Sequence, residues 1–463
     1  MTNLHNLSAV QLLFGYHEKQ FSPSEVLEDV LAHVARWEPH IQALYAYDPD
    51  SARTAAKAST ERWTKSAPIG SLDGIPATIK ENIATKGVPV PLGSITTKLV
   101  MAEADAPPAA RMREAGAIIF SKTTMPDYGM LSSGLSSFHP LTRNPWDLKM
   151  NPGGSSAGAG AAGAAGYGPL HLGTDIGGSV RLPACWCGLV ALKPSLGRIP
   201  IDPPYVGRVT GPMTRTVEDA ALLMSVLSQP DARDSMCLPP ATIHWQSLES
   251  SPKGMKFGLM LDLGFGMPLE KDVRETVLAA AKLFEAAGAT IVEVPSVLTR
   301  ETLDGLDAFW RARSWDDISK LPESEQKKVL PYIYDWAEAG ARLSGLDVMR
   351  GFNATMAMRA GAAKLFQNVD YVLSPVSPVV KFAAEFASPL NDPAKPFEHI
   401  TYTVCWNMSE NPAVSINGGY DATGFPIGVQ IVGRRFDDLG VLQMAKAFEE
   451  MRAPQRPWPQ PPG

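Results

Sequence analysis

Two short runs rich in glycine and serine, Gly153-Gly154-Ser155-Ser156 and Gly177-Gly178-Ser179, stand 24 residues apart counted from Ser155 to Ser179. A serine hydroxyl becomes an acyl-transfer nucleophile once a base takes its proton. In the second run, GTDIGGSVRLP, the glycines clear side chains from the approach to Ser179. They leave the backbone N–H groups of Ile176, Gly177, Gly178 and Ser179 able to converge, as a developing oxyanion requires. The same spacing suits a glycine-rich turn with an N-capping serine equally well.

A base for such a serine has to come from elsewhere. The α/β-hydrolase elbow needs G-x-S-x-G, and Arg181 stands where its last glycine belongs. Of the eight histidines, His171 lies inside the apolar stretch PLHLG and reads as a satisfied core residue. Lys80 is the candidate: it ends IPATIK, a buried-strand pattern away from any charge cluster. A free lysine with a pKa of ~10.4 is neutral only about 1 time in 2,500 at pH 7. Burial lowers that pKa by up to ~3–5 units, which removes most of the cost of neutrality. The competing reading is a lysine at a strand end that reaches out to water.

The glycine run also contains a G-x-G-x-x-G match, Gly158 to Gly163. A dinucleotide fingerprint follows a strand and is answered by an acid ~20 residues on. Here NPGGSSA precedes it, and Pro183 and Ala184 stand at the later position. A helix of Gly and Ala that lets backbones approach closely is the better reading, with a dinucleotide-binding protein a remote alternative.

The elements expected to position these residues alternate. Residues 22–37 form an amphipathic helix with a capping box from Ser22 to Glu25. Residues 73–83 read as a turn and a short buried strand, and 106–128 as helix then strand. Another helix covers 216–228, and 254–295 reads strand–helix–strand. Strands follow at 371–376 and 427–433, while 300–360 is helical in composition and rich in Trp, Tyr and Met. The alternation argues for an α/β layered fold around a parallel or mixed sheet. The proline-rich end, APQRPWPQPPG, reads as a loosely held terminus.

Composition narrows the class. The 463 residues are 45% hydrophobic and 19% charged, with a net charge of −6, so a large core is expected and disorder is not. No basic block points to nucleic acid, and no apolar run reaches the ~18 residues of a membrane helix. No secretory signal opens the chain, and four cysteines make no disulfide framework, so a cytoplasmic location is expected. Cys185 and Cys187 form C-x-C without a second pair or a histidine at ligand spacing. Neither a metal nor a cofactor is therefore expected. The sequence carries no signal for oligomeric state.

Taken together, the motifs resemble those of the amidase signature hydrolases. That pattern pairs G-G-S-S-[GA]-G, here Gly153 to Gly158, with G-[TS]-D-x-G-G-S-[IV]-R-x-P, here Gly173 to Pro183. Upstream, G-[IV]-P-x-x-[IV]-K-[DE]-N is met by Gly74 to Asn82. TRNPWD, LKPSLGR, GPMTRTVEDAA, NMSENPAVSIN and GFPIGVQIVG resemble the flanking segments. The resemblance spans nearly the whole chain and is weakest over about 300–400. Two departures, Ala157 and Glu81 for the commoner Gly and Asp, lie beside the reactive positions.

The resemblance implies an amidase signature fold, a central mixed β-sheet covered by helices on both faces. It implies a single domain over 1–463, with a pattern-bearing core at about 65–235 and a variable pocket region at about 300–400. It further implies a Ser–Ser–Lys triad: Ser179 the acyl nucleophile, Ser155 the bridging serine at a cis peptide bond, Lys80 the neutral base. The amides of residues 176–179 would form the oxyanion hole. The expected activity is amide hydrolysis through an acyl-enzyme, with esters cleaved as well.

For the substrate, Met125, Tyr128, Met130 and Leu131 are expected to join Trp310, Trp315, Tyr332, Tyr334, Trp336, Met349, Phe352, Met356 and Met358 around an apolar pocket. Ordinary helix core explains any one of them as well. No basic pair stands out in the sequence, so the expectation is a small-molecule aryl or alkyl amide or a carbamate. The alternative from the same family is the glutamine-hydrolysing component of a tRNA amidotransferase complex, which works with partner subunits.

Overall fold

A strand covered on both faces is apolar along its length, and IPATIK obeys that rule: Pro76–Lys80 is buried at every residue. The structure is a computed structural model that describes residues 3–462; residues 1, 2 and 463, the ends of the expected domain, lie outside the described residues. In chain order the strands are β1 (Leu44–Tyr45), β2 (Pro76–Lys80), β3 (Ile118–Thr123), β4 (Leu170–Asp175), β5 (Val190–Lys193), β6 (Val209–Thr214), β7 (Lys256–Leu259), β8 (Thr290–Glu293), β9 (Tyr371–Pro375), β10 (Ala413–Tyr420) and β11 (Pro426–Gly433).

All eleven join one sheet in the order β1-β3-β2-β4-β6-β5-β10-β11-β9-β7-β8. The sheet is mixed: β2 runs parallel to β3 and β4, while β4, β6, β5, β10, β11 and β9 pair antiparallel in succession. Neighbouring residues of one strand enter different cores, as the two-residue period demands. Leu373, Val414 and Ile431 pack with the helices Pro23–Ile41, Val217–Leu227, Lys271–Ala286 and Asp438–Met451. Val372, Ala413 and Val432 pack with the helices Arg300–Ser319 and Gly345–Leu365. Helices therefore cover both faces.

Local chemistry sets several boundaries. Ser22 and Glu25 form the expected capping box, with Pro23 in the first turn of a helix that runs to Ile41. Thr216 caps Val217–Leu227 by accepting from the Asp219 N–H. The Gly-Ala run is the helix Ala157–Ala165, buried throughout. A Cβ at Gly158 would come 2.3 Å from the Ala43 carbonyl oxygen, so the run packs against backbone and leaves no room for a pyrophosphate.

The C-terminal end departs from expectation. It is tied down: the Arg215 guanidinium stacks over Trp458 at 4.2 Å, and the Trp146 ring lies 6.0 Å from the same indole. Asn417 Nδ2 donates to Gln455 Oε1 at 2.6 Å. An indole among prolines offers enough apolar area to anchor a segment that has no secondary structure of its own.

Candidate active site

Parallel pairing of β2 with β4 carries Lys80 to the level of the residues around Thr174, at the same end of the sheet. There Lys80, with no solvent exposure, places Nζ 2.7 Å from Ser155 Oγ and donates to Thr174 Oγ1 at 3.0 Å. Asn82 Nδ2 donates to the same threonine at 3.1 Å. Burial pushes the Lys80 pKa down to about 7, the Arg208 charge acts in the same sense, and the Asp175 and Glu81 carboxylates oppose it.

The two serine runs are stitched together. Ser156 N–H donates to the Ser179 carbonyl at 3.2 Å, and Thr174 N–H donates to Ser156 Oγ at 3.3 Å. This approach requires Gly173: a Cβ there would come 2.6 Å from Ser156 Oγ. The Gly154–Ser155 peptide bond is cis. Ser155 and Ser179 both line one cavity, and their hydroxyls are not hydrogen-bonded to each other among the described residues.

Asp175 shapes the second loop. Its carboxylate accepts from the Gly178 N–H at 2.8 Å and the Val180 N–H at 3.2 Å, and it pairs with Arg181 at 3.0 Å, both side chains fully buried. Arg181 also donates to Asn407 Oδ1, Gln430 Oε1 and the Thr403 carbonyl. Burial alone would raise the Asp175 pKa; the adjacent guanidinium outweighs it and holds the carboxyl well below its usual range.

This grip corrects the expected set of four oxyanion donors. The Gly178 N–H is consumed by Asp175, whereas those of Ile176, Gly177 and Ser179 have no acceptor among the described residues. Gly178 serves the loop through its backbone instead, at φ +130 with a Cβ position only 2.6 Å from Thr403 Oγ1.

Of the apolar residues expected around a pocket, Tyr128, Met130, Leu131, Trp310, Tyr332 and Trp336 line the cavity. Met125 and Trp315 are not on its wall. Met125 is buried, its Cε 3.1 Å from the Cβ position of Gly129, so it packs behind that wall residue. Trp315 packs edge-on against Tyr334 at 5.9 Å, and Phe352 against Phe309 at 5.6 Å. Met349 and Met356 are exposed, and Met358 is core. Helical composition reveals aromatic side chains but not which turn faces the cavity.

The cavity also holds residues that sequence reasoning missed. His399 lies on the wall, buried, with neither ring nitrogen hydrogen-bonded, and burial pushes its pKa down to about 3. Arg208 and Arg313 line the same space, which overturns the expectation that no basic pair exists. They are far apart in the sequence, so no local pattern announces them. His171 is a core residue as expected: Nδ1 meets Thr78 Oγ1 at 2.8 Å and Nε2 meets the Gly168 carbonyl at 3.0 Å. Cys185 and Cys187 are buried free thiols, and no cluster of metal-ligating side chains occurs among the described residues.

The amidase family matches residues 25–442. The chain belongs to that family. It is thus an enzyme that hydrolyses carbon–nitrogen bonds of amides. An acylamidase of Rhodococcus erythropolis is 31% identical over 98% of this chain and 97% of its own. The first of the glutamyl-tRNA(Gln) amidotransferase subunits, from Myxococcus xanthus, is 31% identical over 96% of this chain and 97% of its own. The solved structure of a bacterial aryl acylamidase, described as one of the amidase signature enzymes, superposes with a TM-score of 0.89 at 27% identity, covering 97% of each chain. This amidase therefore has the amidase signature fold, and no helix among its described residues is long and apolar enough to cross a membrane.

Proposed function

We propose that this amidase forms an acyl-enzyme on Ser179 and acts on aryl or alkyl amides or carbamates. The observation that carries the reading is the buried Lys80 amine 2.7 Å from Ser155 Oγ, at the edge of a cavity that Ser179 also lines. Lys80 starts neutral. The Ser155 proton passes to Lys80 Nζ as Ser155 Oγ takes the proton of Ser179, whose χ1 turns it toward the bridging hydroxyl. Ser179 Oγ then bonds to the substrate carbonyl carbon, and the oxyanion is met by the N–H groups of Ile176, Gly177 and Ser179.

Collapse breaks the C–N bond. The same relay delivers a proton to the leaving nitrogen, without which an amide anion would have to depart. Water, deprotonated in turn through Ser155 and Lys80, releases the acyl group and restores Ser179. Esters follow the same course. The aromatic wall of Trp310, Trp336 and Tyr332 supports an aryl or alkyl group, and the likeness to acylamidases supports an anilide. Four free thiols accord with a cytoplasmic, reducing setting.

The likeness to glutamyl-tRNA(Gln) amidotransferase components supports a second reading, hydrolysis of glutamine within a complex. Steady-state rates of the purified chain on anilides, primary amides, carbamates and glutamine decide between them. Turnover of anilides or carbamates above glutamine is expected; glutamine as the only substrate would replace the first reading with the second.

A further inference from the structure

Arg208 follows on from the antiparallel ladder in which Asp175 faces Val209, so it stands beside the oxyanion loop. Arg313 comes from the opposite wall, on the helix Arg300–Ser319, one residue before the buried Ser314. The two are linked by Tyr205: the Arg313 guanidinium stacks on its ring at 4.0 Å, and the Arg208 N–H donates to its carbonyl at 3.1 Å. Neither guanidinium has a carboxylate within ion-pair distance among the described residues. Among those residues the Arg208 side chain donates only to the Pro203 carbonyl, and the Arg313 side chain to nothing.

The surrounding acids are otherwise engaged or remote. Asp175, the one carboxylate on the cavity wall among the described residues, is spent on Arg181 and backbone amides. Asp234 binds the Ile201 and Met236 N–H groups. Asp202 is exposed and, like Asp234, acts on Arg208 only at longer range. Asp317 lies near Tyr205, and Asp316 pairs with Lys320. Burial and the Arg313 charge both push the Arg208 pKa down, the signature of two cations facing one space. Ten guanidinium N–H donors thus meet a cavity that is otherwise aromatic.

We propose that the amide taken by this site carries a carboxylate, held between Arg208 and Arg313 while its apolar body lies on the Trp310–Trp336 wall. A planar fork matches a carboxylate in two parallel hydrogen bonds, and a shared anion relieves the repulsion between the two cations. The inference rests on the amide-hydrolase reading for its chemistry, but not for its binding test.

That test uses Ser179→Ala protein, so that binding is read without turnover, by quenching of tryptophan fluorescence. The probes are matched pairs: glutaric acid mono-para-nitroanilide against pentanoic acid para-nitroanilide, and para-acetamidobenzoate against acetanilide. In at least one pair the carboxylate should bind about tenfold more tightly, less so as salt rises. Adding Arg208→Met or Arg313→Met, which keep the apolar stem, should bring the ratio of the two Kd values toward one. Because the ratio is taken within each variant, partial loss of folded protein cancels. Equal Kd values in both pairs, or a preference that survives both arginine substitutions, overturns the clamp. Absence of amide turnover in the unsubstituted enzyme would instead overturn the hydrolase reading and leave these Kd ratios interpretable.

Discussion

Asp175 and Arg181 form an ion pair at 3.0 Å in which both side chains are fully buried. The pair is where the reactive loop is bolted to the rest of the molecule. Asp175 grips two backbone amides of the Ser179 loop, and Arg181 reaches Thr403, Asn407 and Gln430 from the C-terminal third. Removing one partner of a buried pair strands the other's charge. Asp175→Asn should therefore lower stability by roughly 3–5 kcal/mol, read by thermal or urea denaturation, and depress kcat with it. A variant as stable and active as the parent would show that the loop holds its shape without the carboxylate.

Ser179→Ala should abolish turnover, by roughly a thousandfold or more, while the protein melts as before. Ser155→Ala should cost a comparable factor, because the two act as one unit and their losses do not add. A kinetic comparison of the single and double variants checks both statements.

Activity should rise with pH through the neutral range. The Lys80 pKa is held down to about 7 by burial, and the neutral amine is the competent form. Below that value kcat/KM should fall about tenfold for each pH unit as the amine gains a proton. Lys193 is also buried and pushed down to about 7, but its Nζ donates to the Pro194 carbonyl away from the cavity. The acid limb should persist in Lys193→Met and vanish with activity in Lys80→Met. A rate independent of pH down to pH 5 would contradict a lysine base.

His399 is 2% exposed on the cavity wall with both ring nitrogens unpaired. An unpaired buried polar group costs about 1–3 kcal/mol, so His399→Phe should raise the melting temperature. If substrate supplies the missing partner, the same change should raise KM for amides by about tenfold. Melting curves and steady-state kinetics on one preparation separate the two effects.

Trp458→Ala should lower stability by about 1–2 kcal/mol, since it removes the Arg215 stacking contact and the packing on Trp146. Denaturation midpoints of this variant against the parent measure it.

Elements with a long periodic signal were legible in the sequence. The helix from Pro23 carries its own start signal, Ser22 with Glu25, and the strand–helix–strand from 254 to 295 appears as Lys256–Leu259, Lys271–Ala286 and Thr290–Glu293. Strands β4, β5 and β6 were not, because LHLGTD, VALK and VTGPMT are short and interrupted by Gly, Pro or polar residues. Their stability comes from neighbours on both sides, which no local window contains. The proline-rich end was misread for the same reason: its anchor, Trp146, is far away in the chain.

The sequence alone determined the reactive residue types and their spacing: Lys80 at the end of an apolar strand, and Ser155 and Ser179 in runs cleared by glycine. These are local properties, since burial pattern and backbone freedom are written into adjacent residues. Only the tertiary structure decided that Asp175 would take the Gly178 amide, that Met125 and Trp315 would miss the wall, and that Arg208 would share a cavity with Arg313 and His399. Each depends on which strands pair and which helical turn faces inward, and those choices are made by the summed packing of the whole sheet and its two helical layers rather than by any one segment.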